Sequence, residues 1–141
     1  ADDSGIEVDA LGGEPGIYSA RFAGEGASDE EKNALILRKL EGVEHSRRNC
    51  GFRCVAAVAS PNGKSVTFDG TVRGYVTEPR GDGGFGYDPI FFYPPYGKTF
   101  GEVSAEMKNA VSHRGRAFSK LAEFVSMFFG PFLLQRQEVN R

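Results

Sequence analysis

Two β-compatible runs, Phe52–Ser60 and Ser65–Glu78, are separated only by Pro61-Asn62-Gly63-Lys64. In the second run Val66, Phe68, Val72 and Val76 alternate with Thr67, Asp69, Thr71, Arg73 and Thr77. Alternation at period two lays one face of a strand against a core, and turn chemistry between the runs folds the chain back on itself. The pattern predicts a hairpin with one face buried.

Helical signals flank this hairpin. Ser28-Asp29-Glu30-Glu31 has the form of a capping box and is followed by Ala34, Leu35, Leu37 and Leu40 and closed by Gly42, which predicts a helix over Asp29–Glu41. Pro89–Tyr93 reads as a short strand and Ser104–Asn109 as a short helix. A longer helix is expected from near Ser112, with Ala117, Leu121, Phe124, Val125 and Phe128 at helical spacing, stopped or kinked at Gly130-Pro131. Residues 2–26, rich in glycine and acids, read as loop around the apolar piece Ile6–Leu11. The tail Phe132–Arg141 suggests no element. At 141 residues, without repeats or a linker, the chain is expected to be one domain over 1–141. Ala1 is not an initiator methionine, so the chain is expected to be a fragment.

Charge narrows the partners. Seventeen Lys and Arg against 19 Asp and Glu leave −2, which with 40% apolar residues excludes a disordered chain and argues against a polyanion-coating protein. No nucleic-acid motif surrounds Arg47, Arg48 and Arg53. The longest apolar stretch, Phe124–Leu134, is interrupted by Ser126, Gly130 and Pro131 and is too short to span a bilayer. Cys50 and Cys54 lack the partners of a zinc site and read as reduced thiols, Cys54 within a strand. A soluble, cytosolic protein without nucleic-acid or membrane partners is expected.

Three constellations can carry chemistry. Asp2, Asp3, Glu7 and Asp9 place four carboxylates in nine residues. They could hold a hard cation such as Mg²⁺ and take a proton from water, although on composition alone a solvated acidic loop or helix start accounts for them. In Gly81-Asp82-Gly83-Gly84-Phe85-Gly86-Tyr87-Asp88-Pro89, glycines beside aromatics would let a flat ligand reach a ring, with Asp88 as acceptor; the alternative is a turn whose aromatics plug the core. Lys108 and Ser112-His113-Arg114-Gly115 set three donors at a helix start, where anions and carbonyl oxygens are attracted, or else form a solvated face.

In this order, ADDSGIEVDALGGEPGIYSARFAGEGASDEEKN at residues 1–33, PRGDGGFGYDPIFFYPPYGKTFGEVSAEMKNAVSHRGRA at residues 79–117 and the hairpin between them resemble the inosine triphosphate pyrophosphatase family, also called RdgB-like. The resemblance reaches to about Met127. It implies an α/β fold, an elongated mixed β-sheet flanked by helices in two lobes with the active site between them. It implies a cytoplasmic homodimer that uses Mg²⁺ to hydrolyse the purine nucleoside triphosphates ITP, dITP or XTP to monophosphate and pyrophosphate, cleansing the nucleotide pool. By motif, Asp3 matches the catalytic acid and lies near the metal with its neighbour Asp2. Ser4 matches a substrate contact, Phe85, Gly86, Tyr87 and Asp88 match the base-pocket segment, and Lys108, His113 and Arg114 match residues that close on the nucleotide. The family's opening S/T-G-N-x-x-K-x-x-E segment, and the helix glutamate after it, do not occur in these residues. The fold is therefore expected to be incomplete at its N-terminus, the C-terminal part of such an enzyme. The alternative is a catalytically inactive fragment that binds nucleotide or a dimer partner.

Overall fold

A computed structural model describes residues 1–139. Its centre is the hairpin, β2 (Asn49–Ala59) and β3 (Ser65–Val76), paired antiparallel with Val58 opposite Val66 at the turn end. β1 (Asp2–Val8) adds to β2, and the short strands β4 (Phe91–Tyr93) and β5 (Lys98–Thr99) extend the sheet beyond β3, in the order β1-β2-β3-β4-β5. Every pairing among the described residues is antiparallel, which corrects the expectation of a mixed sheet while the α/β class stands.

β1 also corrects the reading of residues 2–26 as loop. Aspartate and glycine are poor strand formers, and this segment becomes a strand because Asp2 through Val8 pair in register with Ala56 through Cys50. The opposite edge of β1 is covered by the loop that follows. The Ile6 amide donates to Ser19 Oγ at 2.9 Å and the Val8 amide to the Glu14 carbonyl at 3.0 Å.

Three α-helices complete the fold among the described residues: α1 (Asp29–Lys39), α2 (Ala105–Val111) and α3 (His113–Val139). The capping box at Ser28 and Glu31 is formed in both directions, satisfying two amides at the start of α1. α3 continues through Gly130-Pro131, so of the expected stop or kink the stop is corrected. Proline's fixed φ lies in the helical range, so the helix can continue across it despite the hydrogen bond lost and the crowding of the preceding turn.

One face of the sheet is apolar. Ile6, Val8, Cys50, Phe52, Val72 and Val76 join Ile36 and Leu40 of α1 and the rings of Phe91 and Phe100 in the main core. Further along the same face of β2, Cys54 and Ala56 pack against Ala117 and Leu121 of α3. The two helices thus cover opposite ends of one face, and the cleft between them is the site. Both cysteines are buried free thiols, and burial pushes the Cys50 thiol up to about 12. Among the described residues no helix is long and apolar enough to cross a membrane.

Candidate active site

A cleft of about 310 Å³ lies between the starts of α1 and α3, with β1 as its floor and the loop before β4 as its rim. Asp2, Asp3, Ser4, Phe85, Gly86, Tyr87, Asp88, Lys108, His113 and Arg114 all line it. Segments more than a hundred residues apart in sequence therefore meet in one hollow, of a size suited to a small ligand.

Strand alternation separates the two adjacent aspartates. Asp2 stands opposite Ala56 and shares the apolar face with Ser4 and Ile6, whereas Asp3 stands opposite Val55 on the other face with Gly5 and Glu7. Asp2 Oδ2 accepts from Arg114 Nε at 3.0 Å. Asp3 is exposed and lines both the cleft and a second hollow of about 300 Å³ beside Gly16, Ile17 and Arg53. Among the described residues its carboxylate has no hydrogen-bonding or ion-pair partner, although its backbone pairs with β2. Ser4 Oγ is buried and likewise has none.

The aromatic pair on the rim divides its labour. Tyr87 is 5% exposed and its hydroxyl donates to the Ser19 carbonyl at 2.6 Å, so it plugs the core, and burial raises its phenol to about 12. Phe85 is 63% exposed and offers its ring to the cleft, with Lys108 Nζ 4.3 Å and the Arg114 guanidinium carbon 5.9 Å from the ring centroid. Cations over a ring face are attracted by its quadrupole. Asp88 is turned inward at 2% exposure, where its Oδ2 accepts from the Phe85 amide at 2.9 Å and from Lys108 Nζ. That carboxylate is committed to ordering the loop. Gly84, at φ 69°, leaves the room the carboxylate occupies.

His113 opens α3 after Ser112, whose Oγ caps the helix by accepting from the Gly115 amide at 3.0 Å. Its imidazole stacks on Phe52, centroids 4.7 Å apart and planes within 14°. Burial, reinforced by the charges of Lys108 and Arg114 and opposed by Asp2, lowers its pKa to about 4. The ring is neutral at pH 7, with Nδ1 buried and unpartnered.

Asp29 and Lys32 of α1 also line the cleft; the sequence marks Asp29 only as part of a helix start and does not single out Lys32. Lys32 Nζ pairs with Asp29 Oδ1 at 2.8 Å. That bond, and a second from the Gly86 amide, hold the Asp29 carboxyl below its usual range. The available signal was their i, i+3 spacing on one helix face. The cleft's charges then fall into pairs: Lys32 with Asp29, Lys108 with Asp88, Arg114 with Asp2. One carboxylate, Asp3, is left over.

The model of the Ham1 family matches residues 1–124. The dITP/XTP pyrophosphatase of Desulforamulus reducens is 52% identical over 130 residues, covering 92% of this chain and 65% of that protein. That of Geobacter sulfurreducens is 55% identical over 124 residues, covering 87% and 62%. Among solved structures, the Staphylococcus aureus Ham1 protein superposes with a TM-score of 0.85 at 46% identity, covering 89% of this chain and 65% of that one. The nucleoside-triphosphatase/dITP/XTP pyrophosphatase of Mycobacterium abscessus gives 0.75 at 43%, covering 86% and 62%. The chain spans just under two thirds of the length of these relatives.

Proposed function

The chain belongs to the Ham1 family, and from that premise we propose that its cleft serves the hydrolysis of non-canonical purine nucleoside triphosphates, dITP, XTP and ITP, to monophosphate and pyrophosphate. The observation that carries this reading is the convergence of ten motif residues on one hollow, with an exposed ring on its rim and the unpaired Asp3 at the edge it shares with a second hollow. A cytoplasmic homodimer goes with the reading.

In this scheme the purine stacks on Phe85. Hypoxanthine and xanthine carry an oxygen at C6, which the Arg114 guanidinium and the neutral His113 ring can meet with N–H donors. Adenine presents an amino group there and would face donor against donor. Each unmatched buried donor costs about 1–3 kcal/mol, so two unmatched donors suffice for discrimination by orders of magnitude.

Hydrolysis joins a water oxygen to the α-phosphorus while the bond from that phosphorus to the α–β bridging oxygen breaks, and pyrophosphate leaves with the electron pair. In this reading Asp3 orients the water and accepts its proton. The cleft's four aspartates outnumber its three cations, so a triphosphate would meet excess negative charge. Mg²⁺ is commonly bound through one or two carboxylates together with substrate phosphates, and the unpaired Asp3 fits that donor set. Asp2, whose carboxylate is engaged by Arg114, would join Asp3 in holding the metal by exchanging that partner. Bound there, Mg²⁺ would supply charge neutralisation and lower the pKa of water.

The test is pyrophosphate release from dITP and XTP with and without Mg²⁺, in wild type and Asp3→Asn. The variant keeps the size of the side chain and loses its charge and basicity, so turnover should fall at least about 100-fold with binding of IMP retained. Undiminished turnover would move the catalytic role elsewhere.

A further inference from the structure

Phe85 sits on a stretch containing Gly81, Gly83, Gly84 and Gly86, three of them at positive φ. A glycine-rich loop has much freedom to lose, and an exposed ring on it recognises a flat ligand well only if the backbone is already held. Gly81 and Gly83 rest against the Gly101 backbone, but packing does not hold the loop on the side of α1. A second cavity, of about 390 Å³, separates the loop from α1 and is lined by Ala34, Leu37 and Pro79 together with the loop glycines.

Two hydrogen bonds bridge that gap, and both end on one residue. Asp29 Oδ2 accepts from the Gly86 amide at 2.6 Å, and Asn33 Nδ2 donates to the Gly86 carbonyl at 3.2 Å. Asp29 and Asn33 lie four apart, on one face of α1, so the helix grips both polar groups of a single residue. Lys32, whose side chain is only 13% exposed, occupies Asp29 Oδ1 and leaves Oδ2 for Gly86. Asn33 itself is 6% exposed. On the inner side the Phe85 amide is bound to Asp88. The ring therefore projects from a backbone fastened at consecutive residues, Gly86 to α1 and Phe85 to Asp88 of its own loop.

We propose that Asp29 and Asn33 are positioning residues that set the Phe85 ring for the base and so determine how strongly this cleft selects a purine; the inference rests on the function proposed above. Neither side chain needs to touch the ligand.

The test compares IMP with ribose 5-phosphate, which lacks the base, by calorimetric titration of the 141-residue chain, alongside exchange of the Gly86 amide followed by NMR. Asp29→Ala removes the acceptor, Asn33→Leu removes the donor at similar volume, and Asp29→Asn keeps an acceptor oxygen as the conservative rescue. Hydrogen bonds to charged groups and buried amides imply a loss of about tenfold for IMP in Asp29→Ala and Asn33→Leu. Ribose 5-phosphate should bind as in wild type, Asp29→Asn should stay near wild type for IMP, and Gly86 exchange should quicken in Asp29→Ala. Equal losses for both probes, or IMP binding unchanged while Gly86 exchange quickens, would overturn the proposal by making the clamp merely structural. Wild type that protects the Gly86 amide yet distinguishes no purine would instead overturn the proposed function and take this inference with it. Since Asp29 lies in the first turn with its side chain 44% exposed, Asp29→Ala provides the test even if Asn33→Leu fails to fold.

Discussion

The carbonyl of His113 rests against Gly70 so closely that a Cβ on Gly70 would overlap it, with the Ala117 amide nitrogen 2.6 Å from the same point. A missing side chain in the middle of β3 thus lets the first turn of α3 lie directly on the strand. Arg116 and Lys120 of that helix donate to the Thr71 and Asp69 carbonyls at 2.7 and 2.6 Å, fastening the contact on either side. The position of His113 and Arg114 in the cleft follows from this approach.

Gly70→Ala should therefore displace α3 rather than be absorbed. Overpacking of this kind costs about 1–3 kcal/mol, read by urea denaturation. Affinity for IMP should fall with it, because the displaced turn carries the base-facing donors. Thr71→Ala, at an exposed neighbour, should change stability by less than about 0.5 kcal/mol and leave binding intact.

Lys108 and Asp88 form the cleft's most buried ion pair, their side chains 12% and 3% exposed. Breaking such a pair from one side strands a charge. Lys108→Met should destabilise by about 3–5 kcal/mol, and adding Asp88→Asn should recover part of that loss by removing the stranded carboxylate. Strictly additive losses in the double-mutant cycle would show that the two groups are not coupled.

His113 makes stability depend on pH in a defined window. Its folded pKa of about 4 lies below the ordinary 6.5, so between these values the unfolded chain binds the proton and the folded chain does not. The contribution is complete above pH 6.5 and is lost as pH falls to about 4, a change on the order of 3 kcal/mol. Denaturation at steps of pH should show that His113→Gln lacks this component while the remaining acid sensitivity persists.

Arg114 is proposed to read the base, and its Nε is anchored on Asp2. Arg114→Ala should weaken IMP more than AMP and narrow the ratio between them by at least about tenfold, measured by competition. An equal loss for both nucleotides would make Arg114 a packing or phosphate residue.

Much of this was legible in the sequence because it depends on near neighbours. The capping box at Ser28 and Glu31 operates within one helical turn, and the β2–β3 hairpin follows from alternation and a four-residue turn. The motif residues were likewise recognisable as strings, and all ten meet in the cleft. Tertiary structure decided what those strings could not express. It made a strand of Asp2–Val8 by pairing it with β2, which put Asp2 and Asp3 on opposite faces and gave only Asp2 an arginine partner. It buried Tyr87 and exposed Phe85, two aromatics separated by one glycine that local rules treat alike. It also brought Asp29 and Asn33 to Gly86 from more than fifty residues away. Caps, turns and periodicity act over a few residues, whereas burial and long-range pairing depend on which distant surfaces meet, and no local pattern encodes that meeting.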